Sequence, residues 1–201
     1  MTSSLRKPHS RVKMIVLAAS AGGLQAFIEI LSALPANFPV PLAIVLHRQP
    51  DRVSLLPEIL ARHTKLRVKQ AEVGELIRPG TVYVAPPNRH LVVTSNHTFS
   101  YRNGKRIRGT CSSANPLFET AAAAWNAPII AVVLTGGDAD AAEGVQAVKA
   151  RGGIVLAQDP ASCEVFSMPL SAIKTGAVDL VLPLKEIGPT LISLTAEQTA
   201  A

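Results

Sequence analysis

Three kinds of polar side chain follow aliphatic runs in this sequence. Ser20 follows Ile15-Val16-Leu17-Ala18-Ala19, His47 follows Ala43-Ile44-Val45-Leu46, and Asp138 and Asp140 follow Ala131-Val132-Val133-Leu134. A serine, a histidine and an acid are the parts of a nucleophile, a general base and an orienting carboxylate. Ser20 lies in Ala18-Ala19-Ser20-Ala21-Gly22-Gly23. Small residues on both sides let a sharp strand-to-helix turn push the hydroxyl outward, as in a nucleophile elbow. The amides that follow would stand at a helix N-terminus, where they could stabilise an oxyanion. The same turn also suits a serine N-cap or a phosphate-binding loop, although the G-x-G-x-x-G fingerprint of dinucleotide sites is absent. His47 can equally close a strand through its backbone, and His90, in Pro86-Pro87-Asn88-Arg89-His90, competes with it from another strand junction. Asp138 and Asp140 compete as well, since either could serve a helix N-terminus instead of the chemistry; spacing does not choose between them.

These residues need a scaffold that gathers strand ends. Apolar runs predict buried strands at 14–19, 41–46 and 129–134, with further strands at 67–70, 81–85, 154–158 and 178–182. Helical spacing predicts helices at 24–34, 51–63 with Asp51 as N-cap, 115–125, 140–151, 168–175 and onward from 183. Between them, 91–94 and 98–102 flank the polar Ser95-Asn96-His97 turn and read as an antiparallel hairpin. Strand and helix alternating in this way predict an α/β fold: a doubly wound, mainly parallel sheet with an inserted antiparallel β-hairpin. Ligands of such sheets bind beyond the carboxyl ends of the strands, where Ser20, His47 and the two aspartates fall.

Composition agrees. Of 201 residues 48% are hydrophobic but only 4% aromatic, so the core is built of Ala, Val, Leu and Ile, as suits a sheet covered on both faces. Two cysteines, Cys111 and Cys163, are too few for a disulfide framework and read as reduced thiols in a cytoplasmic protein. No apolar run reaches the roughly 18 to 20 residues of a membrane span. Residues 1–13, with Arg6, Lys7, Arg11 and Lys13, read as a disordered basic tail before a domain at 14–195. Asn96-His97-Thr98 matches a glycosylation acceptor but reads as a bare turn. The net charge of +6 favours an acidic partner. With basic residues scattered and aromatics scarce, an acidic protein surface fits at least as well as nucleic acid.

The residues in order resemble the catalytic domain of the chemotaxis receptor methylesterases, the CheB family. Ala18 to Gly23 resembles G-A-S-T-G-G, Val45-Leu46-His47 resembles V-Q-H, and Leu134 to Asp140 resembles L-T-G-M-G-N-D. Ala85 to Leu91 is similar to A-P-x-x-R-H-L, and Ala157 to Pro169 to A-Q-D-E-A-S-C-V-V-F-G-M-P. The resemblance implies a catalytic triad of Ser20, His47 and Asp140, the acid falling on Asp140 rather than Asp138. It also implies hydrolysis of glutamate γ-methyl esters on acidic receptor helices, possible deamidation of glutamine at the same site, and no metal or cofactor. The oxyanion and substrate-binding positions are expected at Ala21, Gly22, Gly137 and Met168. The order Ser, His, Asp differs from the Ser, Asp, His of α/β-hydrolases. Departures are Thr110 to Asn115, where the family has H-R-P-S-V-D, Gly137 in place of Met, and Ala141 in place of Gly. The first of these is expected to remove a positive charge and a carboxylate from the substrate cleft. Members usually carry a receiver domain, which is expected here to be supplied by a separate protein or lost.

Overall fold

The computed structural model describes residues 12–47, 55–102, 112–137 and 139–196. Seven parallel strands form one sheet in the order β3-β4-β2-β1-β7-β8-β9: Ile15–Ala19 (β1), Leu42–Leu46 (β2), Arg67–Gln70 (β3), Thr81–Val84 (β4), Ile130–Val133 (β7), Ile154–Gln158 (β8) and Leu180–Leu182 (β9). The remaining pair, His90–Val93 (β5) and Phe99–Arg102 (β6), is an antiparallel hairpin apart from that sheet. The helices are Gly23–Ala33 (α1), Leu56–Ala61 (α2), Ala114–Ala124 (α3), Ala142–Ala150 (α4), Ser167–Lys174 (α5) and Leu184–Ala196 (α6).

Strand alternation divides the apolar residues between two cores. Met14, Val16 and Ala18 face one core with Leu117, Phe118, Val145, Met168 and the hairpin's Leu91, Val93 and Phe99. Ile15, Leu17 and Ala19 face the other with Phe27, Ile30, Leu60, Ile187 and Leu191. Helices α1, α2 and α6 therefore cover one face, and α3, α4, α5 and the hairpin the other. β1 is buried along its whole length, which is why its sequence is a continuous aliphatic run rather than an alternating one.

From β1 the chain passes to β2, then to β3 at the sheet edge and back to β4 between them, and after the hairpin and α3 it returns to pair β7 on the other side of β1. That reversal opens the crevice in which doubly wound sheets bind ligands, and Ser20 leaves β1 at its floor. The hairpin steadies α3 from behind. Val93 N–H donates to Thr120 Oγ1 at 3.0 Å, and the His97 ring stacks on Trp125 with centroids 4.8 Å apart.

Several boundaries differ from the sequence expectation. Val12 is already buried and Lys13 N–H bonds Pro128 O at 3.1 Å, so two residues assigned to the tail belong to the sheet's lower edge. The helix expected at 51–63 is Leu56–Ala61; its proposed cap, Asp51, lies outside the described residues. The helix expected from 140 begins at Ala142 instead, because Ala141 at φ 74 is its N-cap. Asp140 therefore stands in the loop before α4 rather than in its first turn.

Candidate active site

The Ser20 turn is built by two neighbouring strands. Ser20 N–H donates to Thr135 O at 2.9 Å, and His47 N–H donates to Ala19 O at 2.9 Å. The chain then reverses, with Gly23 N–H on Ser20 O and Gly22 at φ 76 as the N-cap of α1. A Cβ at Gly23 would lie 2.5 Å from Ala19 Cβ and 2.7 Å from Leu46 Cδ1. The glycine is what lets α1 start flat against β1 and β2. Gly23→Ala should lose about 1–3 kcal/mol of stability through overpacking; chemical denaturation measures it, and a parental midpoint would show that Ala19 and Leu46 can yield.

Thr135 clamps the turn from the other side. Its hydroxyl donates to Ala21 O at 2.9 Å and accepts Val165 N–H at 2.9 Å. Its own N–H is held by Gln158 Oε1 at 2.9 Å. The sequence gives neither Thr135 nor Gln158 a role, since both read as ordinary strand-end residues; their only signal is their place in the Leu134 to Asp140 and Ala157 to Pro169 stretches.

Ser20 and His47 line one open cleft of about 360 Å³, shared with Gly22, Gly23, Leu24 and Gln25. The His47 side chain is nearly buried, and its Nε2 lies 2.6 Å from Asp140 Oδ2. Asp140, 1% exposed, also receives the Ser113 hydroxyl on Oδ1 at 2.6 Å and the Ala114 N–H on Oδ2. The acid is thus seated on the N-terminus of α3, where the helix dipole favours a carboxylate. Burial works to raise the Asp140 carboxyl, but the hydrogen bonds from His47, Ala114 and Ser113 and the attraction of His47 outweigh it, leaving it below its ordinary 3.8. It is ionised at neutral pH. An acid depressed on folding stabilises the fold above its unfolded value, and the contribution disappears as pH falls through the folded value. The parent should therefore lose melting temperature relative to Asp140→Asn as pH drops below about 3.8. Parallel melting curves from neutral pH downward check this, and curves that stay parallel contradict it.

The other expected residues divide. Among the described residues, the N–H groups of Ala21, Gly22 and Gly137 donate to no protein acceptor, whereas Gly136 N–H is taken by Val165 O at 2.8 Å. Met168, expected at the substrate, is fully buried. A Cβ on Gly136 would meet Met168 Sδ at 2.6 Å and Ser20 Cβ at 2.9 Å, so Met168 backs the Ser20 turn instead of lining the cleft. Asn115, read as a carboxylate lost from the cleft, is 5% exposed and accepts Gly144 N–H at 2.8 Å. It ties α3 to the start of α4, and a carboxylate there would face the same amide. Asp138, with Thr110 and Cys111, lies outside the described residues. His90 does not reach the cleft; its Nδ1 accepts the Ser113 N–H at 3.1 Å. Nothing in the sequence marks Ser113, because its stretch stands out only for what it lacks. Cys163, near the Ser20 turn, is no rival nucleophile: burial and the Asp159 charge push its thiol up to about 11, and the thiol form is unreactive.

A larger cavity of about 720 Å³ opens between α2, β3 and the hairpin, walled by Glu58, Lys69 and Arg89, with Arg89 stacked over Tyr101. Among the described residues, no helix is long and apolar enough to cross a membrane.

The chain is similar to known proteins in sequence and in fold. The CheB methylesterase family model matches residues 15–191. A Leptospira interrogans protein provisionally named as a protein-glutamate methylesterase/protein-glutamine glutaminase is 40% identical over 180 residues, covering 90% of this chain and 93% of its own length. The protein-glutamate methylesterase FrzG of Myxococcus xanthus is 37% identical, covering 92% of this chain and 56% of its own length. The crystal structure of the Thermotoga maritima CheB methylesterase catalytic domain superposes with a TM-score of 0.87 at 36% identity, over 91% of this chain and 98% of that one. Its fold is the fold described above, a mostly parallel seven-stranded sheet with helices on both faces and a separate hairpin. Sequence, fold and relatives agree: the chain belongs to the CheB methylesterase family.

Proposed function

We propose that this chain is a protein-glutamate methylesterase that hydrolyses glutamate γ-methyl esters on chemoreceptor-like proteins, with Ser20 as nucleophile, His47 as general base and Asp140 as the orienting acid. The observation that carries this reading is the 2.6 Å contact between His47 Nε2 and Asp140 Oδ2, beside a cleft that His47 shares with Ser20. With Nε2 committed to the acid, Nδ1 is the nitrogen that takes the Ser20 proton as Oγ attacks the ester carbonyl. The N–H groups of Ala21, Gly22 and Gly137 stand ready for the tetrahedral oxyanion. His47 then returns its proton to the leaving methoxide, methanol departs, and water hydrolyses the acyl-enzyme, which restores Ser20 and leaves a glutamate side-chain carboxylate on the substrate protein. Glutamine deamidation, the second activity in the relatives' names, follows the same steps with ammonia as leaving group.

An acidic receptor helix suits the chain's charge of +6, to which Lys105, Arg106 and Arg108 contribute just ahead of Ser112 and Ser113 in the sequence. A cytosolic location belongs to the same proposal. A purely binding descendant of the family fits less well. A buried carboxylate held by His47, Ser113 and Ala114 is a poor way to stabilise a fold, and docking has no use for it.

Methanol release from methylated receptor membranes is the test. The purified chain should release methanol and the Ser20→Ala variant should not. If a fluorophosphonate labels Ser20 but no methanol appears, the hydrolase stands and its substrate is a different ester.

A further inference from the structure

His90 is a buried ionisable side chain that the mechanism leaves unused. It opens β5, opposite Arg102 of β6, and is 1% exposed. Its Nδ1 accepts the backbone N–H of Ser113 at 3.1 Å. A nitrogen that accepts carries no proton, so the neutral ring bears its proton on Nε2. That atom is buried and has no hydrogen-bond partner among the described residues. A buried N–H left unpaired is destabilising, so an apolar ring would serve the core better here. What the imidazole supplies is an acceptor for one particular amide.

That amide belongs to the residue that seats the acid. Ser113 is the N-cap of α3, yet its hydroxyl makes no cap hydrogen bond. It is turned away, to donate to Asp140 Oδ1 at 2.6 Å. The next amide, Ala114 N–H, donates to Asp140 Oδ2, the oxygen that also meets His47. The peptide groups on either side of Ser113 Cα are thus fixed at one end by His90 and at the other by the carboxylate. We propose that His90 is a positioning residue for the Asp140 carboxylate, acting through the Ser113 backbone. The proposal rests on the reading of Asp140 as the acid of the triad. It gives the second histidine of the sequence a definite job at the site without contact with substrate.

Two substitutions separate this role from mere filling of the core. Asn places its amide oxygen near the position of Nδ1, whereas Gln reaches the position of Nε2. His90→Gln and His90→Ala should lower kcat about 10- to 100-fold at unchanged KM, the scale of a small misplacement of a catalytic group. His90→Asn should restore kcat to within about threefold. Combining His90→Ala with Ser113→Ala should cost less than the product of the two single effects, since both act on one carboxylate. Rates are counted per serine labelled by fluorophosphonate, at a temperature where each variant is folded. Parental kcat per labelled serine in His90→Ala overturns the proposal. So does equal recovery with Gln and Asn, or full multiplication in the double variant.

Nitrogen NMR of the unmodified protein supplies a reading that no folding defect can blur. His90 should carry its proton on Nε2, with Nδ1 bare, and the low-field proton of the His47–Asp140 hydrogen bond should be present. Protonated Nδ1 overturns the proposal outright. These signals do not depend on turnover. A protein that releases no methanol but shows the stated His90 tautomer would contradict the methylesterase reading and leave the positioning role standing.

Discussion

Ser20→Ala should abolish ester hydrolysis while leaving the fold in place, and His47→Ala should do the same, with the double variant no worse than either. Ser20 contributes its backbone to the sheet through its N–H on Thr135 O and its carbonyl to the turn through Gly23 N–H. Neither contact uses the hydroxyl, so alanine removes the nucleophile and little else. His47 likewise keeps its N–H on Ala19 O whatever its side chain. In serine hydrolases, removing one member of the nucleophile–base pair costs on the order of 10⁴ to 10⁶ in kcat, and removing the second adds almost nothing because the two act as a unit. Steady-state rates on methylated receptor membranes, with melting curves alongside, give the answer. Activity within about tenfold of the parent in either variant removes that residue from the mechanism.

The second large effect is at Asp140, and the structure makes it depend on the replacement. Asp140→Ala should lose about 10⁴ in kcat, the scale for the acid of a triad. Asp140→Asn should be milder, about 10² to 10³, the cost of one stabilising group lost. The reason is the pattern of donors. Among the described residues, Oδ2 meets the Ala114 N–H, which can only donate, and His47 Nε2. Oδ1 meets the Ser113 hydroxyl, which can turn and accept. An asparagine therefore seats its oxygen at Oδ2 and its NH₂ toward Ser113, which keeps the His47 tautomer and loses the charge alone. Ser113→Ala removes that freedom only in part, because the amide would still prefer the same orientation. If Asp140→Asn is as silent as Asp140→Ala, the amide is reversed and the tautomer is lost with it. Asp138→Asn should stay within about tenfold of the parent, because it is Asp140 that meets His47.

Much of this was legible in the residues. Aliphatic runs give away the central strands, because a strand buried on both faces has no polar positions to break the run. Once β1, β2 and β7 are placed side by side, the strand-end rule brings Ser20 and His47 together with no knowledge of the family. The choice of Asp140 over Asp138 needed the resemblance. Spacing could not supply it, since the local conformation turns on Ala141 at φ 74, a residue type that gives no sign of a left-handed turn. Met168 looked like a cleft residue from its motif, but side-chain direction on the short α5 buries it behind Gly136. The seat of the acid was hidden for a different reason: Ser113 and Ala114 reach Asp140, and His90 reaches Ser113, from segments far apart in the sequence. Hydrogen bonds across such distances leave no periodicity to read.

The parallel sheet also sets when this site comes into being. Ile15 of β1 pairs with Leu42 of β2 on one side and with Ile130 of β7 on the other. The second pairing joins segments far apart in the chain, and sheets dominated by such pairings close slowly, because the entropy of closing the loop is lost before any contact forms. Ser20 and His47 can meet as soon as β1 and β2 dock. Thr135, which holds the Ser20 turn, and Asp140, which orients His47, arrive only with β7. A refolding chain should therefore recover helical signal before it recovers an activated serine, and the probe that labels Ser20 doubles as a clock for the last step of folding.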